Sequence, residues 1–153
     1  MTAVPHSSFF GSFPKDAEFD RPAGASFARD LENGLRGRAF AVEKFDNWRD
    51  CGWVVCVQVG AKPFEVYFAE YGEESENCWL LAIAPLNQPG TLARLFGRRT
   101  TPVATELQSL AISVHEILST HPTVSGIRWF LGGPPDKVPS YASPHELALS
   151  GQP

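Results

Sequence analysis

The chain has 153 residues, 43% hydrophobic and 20% charged, with a formal net charge of -4. That length suits one domain able to bury a core without disulfides or metals, and the acidic balance argues against a general nucleic-acid binder. Its apolar stretches fall short of the ~20 residues a transmembrane helix needs, and Met1 to Ser8 has neither a basic start nor an apolar h-region. A cytoplasmic protein without a membrane partner is expected.

Residues 1–23 form a Phe/Pro-rich stretch with Phe9, Phe10, Phe13 and Phe19 but no helical or alternating period. It reads as an N-terminal arm. Burying each phenylalanine is worth about 1.5–3 kcal/mol, so the arm either wraps its own domain or docks on another subunit or partner. A first helix is predicted from Gly24 or Ala25, with Ser26 the other candidate cap. Phe27, Leu31 and Leu35 form its buried stripe, while Arg29, Asp30, Glu32 and Arg36 face away. Gly37 suits a left-handed position after the helix. Ala39 to Phe45 then reads as a strand, and Asp46 to Gly52 as a polar link.

Three apolar runs follow: Trp53 to Val57, Phe64 to Phe68, and Trp79 to Ile83. Each is strand-length, β-branched or aromatic, and bounded by turn formers, which predicts an antiparallel meander. In the first run both faces are apolar, the mark of a central strand. The acidic loop from Tyr71 to Asn77 reads as a solvated hairpin tip. After Pro85 the pattern breaks, and Thr91 to Phe96 reads as a short helix. Thr101-Pro102 is a good cap and first-turn pair for a long helix to Thr120, striped by Val103, Leu107, Leu110, Val114 and Ile117. Thr123 to Leu131 is the last strand. The proline-rich tail, residues 132–153, is expected to supply no core element. Its one local signal is Ser143-Pro144-His145-Glu146, a capped turn that could run to Leu149.

Chemical signatures are sparse. The histidines His6, His115, His121 and His145 are scattered, and Cys51, Cys56 and Cys78 have no ligand spacing, so no metal or cofactor is expected. The three cysteines read as reduced thiols, mostly small core hydrophobes. Cys51 with His115 is the only nucleophile and base pair worth testing, but Cys51 lies in no nucleophile turn. Asp46, Asp50 and Glu65 read as turn and surface carboxylates. The basic spot Arg94, Arg98 and Arg99 could hold an acidic partner or stand as a solvated loop. Trp48 sits in a polar turn, where an exposed indole would suggest an interface hot spot.

Residues 24–131 are thus expected to form a single α+β domain: a two-layer sandwich with an antiparallel sheet of about five strands and two main helices on one face. Two helices cover only one face, so the other must be sealed by the arm, the tail or another protein. The functional expectation is a non-enzymatic protein-binding module, chaperone-, adaptor- or immunity-like, or a homodimer. Phe9, Phe10, Phe13, Trp48, Arg94, Arg98 and Arg99 are its candidate partner-binding residues. The alternative is a small-molecule binder or enzyme with a tryptophan-lined pocket between sheet and arm, reached by Arg98, Arg99 or Asp50. No family motif is present, and the likeness to small bacterial secretion chaperones and immunity proteins is one of general plan alone.

Overall fold

The computed structural model describes residues 4–13, 23–38, 40–48, 51–60, 62–71, 77–85, 104–132 and 137–147. They hold strands β1 (Pro5–Phe10), β2 (Ala41–Val42), β3 (Asp46–Trp48), β4 (Gly52–Val59), β5 (Lys62–Glu70), β6 (Cys78–Pro85) and β7 (Ser125–Leu131). Helices α1 (Ala25–Arg36) and α2 (Ala104–Thr120) complete the main architecture. All strands join one antiparallel sheet in the order β2-β4-β5-β6-β1-β7, with β3 pairing β4 beside β2. The α+β class holds, with seven strands rather than about five. The predicted short helix at 91–96 and the expected first turn of the long helix at 101–103 lie outside the described residues.

The main departure from expectation is the N-terminal segment. Pro5–Phe10 is a strand, and an interior one, paired with β6 through Phe9↔Trp79 and with β7 through Pro5↔Leu131. Its buried positions are Pro5, Ser7 and Phe9, alternating with His6, Ser8 and Phe10. A proline and a serine on the core side hide the period-two pattern that an apolar strand would show. Proline is tolerated because it opens the strand.

Beyond the strand, Phe13 stacks on Phe27 at 4.7 Å and meets Trp79 edge-on at 5.0 Å. The Trp79 indole N–H donates to the Gly11 carbonyl at 2.8 Å. Such ring pairs add about 0.5–1.5 kcal/mol beyond area burial. Residues 5–13 are therefore tied to the core by both pairing and packing.

Helix α1 follows Gly24, whose φ of 112° is a left-handed value that glycine adopts freely. A Cβ there would also stand 3.2 Å from Phe68 and Trp79. At the other end Gly37 is right-handed, with φ -64°, not left-handed as expected; its N–H donates to the Asn33 carbonyl at 3.0 Å, continuing the helical turn.

Glu32 also departs from the amphipathic reading, since it is buried. Its carboxylate accepts the Phe45 backbone N–H at 2.6 Å and pairs with Arg36 at 2.8 Å, while Arg36 donates to the Val42 carbonyl at 3.0 Å. These bonds fasten the β2 to β3 segment to α1. A buried carboxylate holds its place only when paired and hydrogen-bonded in this way.

The core lies between the two helices and one face of the sheet. Phe27, Leu31 and Leu35 of α1 and Leu110, Val114 and Leu118 of α2 meet Trp53, Val55, Val66, Phe68, Leu81 and Ile83. The tail contributes too, contrary to expectation. Tyr141 exchanges two backbone bonds of 2.7 Å with Trp129, and Leu147 is in the core. Between them, Ser143 accepts the His145 backbone N–H and caps a 3₁₀ turn at Pro144–Glu146, shorter than the turn expected to Leu149.

Two substitutions test this account by chemical denaturation. Glu32→Ala strands the Phe45 N–H and should cost about 1.5–3 kcal/mol. Ser7, fully buried between Leu81 and Trp129, has a hydroxyl without a hydrogen-bond partner among the described residues. Relieving its desolvation, Ser7→Ala should raise stability by roughly 1 kcal/mol.

Candidate interaction face

Because side chains alternate across a strand, the same register that fills the core defines a second, helix-free face. One row across it reads Asp46, Val54, Tyr67, Ala82, His6 and Phe130. The neighbouring row carries Ala69, Leu80, Ser8 and Arg128, and the row on the other side Cys56, Glu65 and Ala84. Val54, Tyr67, Ala69, Leu80 and Ala84 are half-buried, and Phe10, on the same face of β1, is 50% exposed. Both helices pack on the opposite side, so among the described residues no helix covers this face.

The face is apolar at its centre and charged at its margins. Glu43, whose backbone N–H donates to the Cys56 carbonyl, joins Asp46 and Glu65 around the Cys56 thiol. Burial, and then the charges of Glu65, Glu43 and Asp46, push that thiol up from its ordinary value. It is thereby kept protonated and a poor nucleophile. Burial, followed by Glu65, likewise raises the Tyr67 phenol. At the far edge Arg128 is exposed and donates to the Ser140 side chain and carbonyl. His6 stacks on the buried Phe130 ring at 5.5 Å. A hollow of about 120 Å³ opens on the face among Tyr67, Ala69, Leu80 and Ala82. A second of about 210 Å³ lies by Ala41, Glu43, Cys56 and Pro63. Neither is lined by tryptophan.

The residues singled out from sequence fall in different places. Phe9 and Phe13 are core, at 2% and 7% exposure, so only Phe10 of the three reaches the helix-free face. Trp48 ends β3, but its side chain, like Arg94, Arg98, Arg99 and Asp50, lies outside the described residues. Trp53, Trp79 and Trp129 are buried in the core, with indole N–H groups donating to the Ala23 carbonyl, the Gly11 carbonyl and His115 Nδ1. They do not form a ligand platform. Tyr67, Ala69, Leu80 and Ala82 were not singled out, although strand alternation from Phe68 and Leu81 places them on the second face.

The tested nucleophile pair does not assemble. Cys51 lies at the turn before β4, while His115 contacts Trp129 in β7, four strand spacings away, or about 19 Å. Cys51 is also exposed, whereas Cys78 is buried as a small hydrophobe would be. Among the described residues no group of three or more His, Cys, Asp and Glu could hold a metal, and no helix is long and apolar enough to cross a membrane. The chain matches no family model, no curated protein and no solved structure.

His115 has a structural role that titrates. Its Nδ1 accepts the Trp129 indole N–H at 3.0 Å. Burial, then the charge of His145, lower its pKa from the ordinary 6.5, while Glu116 opposes them. The folded state thus binds fewer protons than the unfolded chain in the window below pH 6.5. Stability should fall as pH drops through about 6.5 and level off below the folded pKa. Denaturation curves across this range should show that loss in the wild type and a smaller one in His115→Gln, whose amide oxygen can still accept the indole N–H.

Proposed function

We propose that the protein is a non-enzymatic protein-binding module and that the helix-free face of the sheet is its docking surface. One observation carries this reading: the face presents Val54, Tyr67, Leu80 and Phe10 with no described helix over them, beside a core that is otherwise closed. Partly exposed apolar side chains gathered on one face of a domain mark an interaction site. A charged rim around an apolar centre is the usual anatomy of a protein interface.

Neither arm is needed for docking in this reading. Phe9 and Phe13 serve the protein's own core, as do Tyr141 and Leu147 from the tail. The hollows on the face are shallow relief for a partner's side chains, and both are smaller than the ~300–1,000 Å³ usual for small-molecule sites.

A photoreactive phenylalanine analogue at Leu80 tests the proposal in the protein's native cells. It should give a discrete cross-linked protein product, whereas the same probe at exposed Asn33, on α1, should give none. Equal labelling from both positions, or none from position 80, overturns the reading.

A further inference from the structure

We propose that the partner on this face is a second copy of the chain, packed sheet to sheet about a twofold axis parallel to the strands and passing between β5 and β6. The inference rests on the docking reading above and adds the occupant and its orientation.

Shape favours this pairing. On the helix-free face, each cross-strand pair between β5 and β6 sets a long side chain against a short one: Glu65 beside Ala84, Tyr67 beside Ala82, Leu80 beside Ala69. A twofold axis between these strands exchanges their positions while keeping each row level. Tyr67 of one copy therefore lies over Ala82 of the other, and Leu80 over Ala69. Those alanines border the existing hollow. Relief and hollow are thus self-complementary, as an isologous interface requires.

Charge favours it as well. The same operation carries β7 of one copy over the β3 edge of the other. Arg128 and Asp46, both exposed, occupy these opposite edges in adjacent rows, about 7 Å apart along the strand direction and within reach of an arginine side chain. Each interface would hold two such pairs.

Size is also sufficient. Five inter-strand spacings of about 4.8 Å and strands about 27 Å long give a footprint of roughly 600 Å² per copy, at the threshold of a stable interface. Sheets packed face to face accommodate their twist at about 30° between strand directions.

Sedimentation equilibrium of the full chain and three variants tests the geometry. The wild type should be a dimer. Arg128→Asp and Asp46→Arg each place like charges at both ends and should weaken it by about tenfold or more. Mixed in equal amounts they should recover dimerisation, because the heterodimer has opposite charges at both ends. Ala69→Trp fills the hollow beneath Leu80 and should give monomer, with circular dichroism checking that the fold is kept. A wild type that stays monomeric, a folded Ala69→Trp that stays dimeric, or a mixture no better than its parts overturns the inference. Product mass from the Leu80 probe separates the two proposals. A second copy supports both, a different protein sustains docking and overturns self-pairing, and no product overturns both.

Discussion

Pairing of β1 with two neighbours is the contact on which the sheet depends. β6 bonds one side of it and β7 the other, so the meander and the last strand share a sheet through Pro5–Phe10. The helices depend on the same join. α2 packs on Trp129 through His115, and α1 places Phe27 against Phe9 and Phe13. Removing the strand would leave two open edges and a gap under both helices. An unpaired edge exposes backbone donors and acceptors that favour association with other chains.

The two faces of the sheet make different demands on the sequence. On the core side the demand is volume, met by Trp53, Phe68, Trp79 and Trp129, with each indole N–H given an acceptor. On the other side small residues alternate with larger ones, and charges sit towards the margins. Burial and then nearby carboxylates raise the Cys56 thiol towards one edge, while a guanidinium stands at the other. That asymmetry gives the face a direction.

Much of the fold was legible because its signals are local. The meander announces itself by β-branched and aromatic runs between turn formers, and both helices by stripes at helical spacing. Three features were not, each for a physical reason. β1 buries Pro5 and Ser7, which no apolar pattern reveals. β3 is built from Asp46, Asn47 and Trp48, two of them turn formers, and is held by pairing with β4. Glu32 reads as a solvated residue because its partner, the Phe45 N–H, is thirteen residues away in sequence. The helix-free face was legible as a question, through the apolar residues on both sides of β4. Its pattern of long and short neighbours needed the register between β5 and β6.

The position of β1 also governs when the protein can acquire its structure. Among the described strands β1 is made before its partners, β6 and β7, the last of which ends at Leu131. Until β6 is made, Phe9 and Phe13 have no Trp79 to pack on, and until β7 follows, one edge of β1 stays open. Closure of the sheet must therefore wait for β7 and then bridge the long sequence separation between β1 and its partners, a topology that slows the reaction and prolongs exposure of the aromatic segment. The strand at the centre of the β6–β1–β7 join is thus made well before it can be secured, and the growing chain carries that aromatic segment unpaired in the meantime.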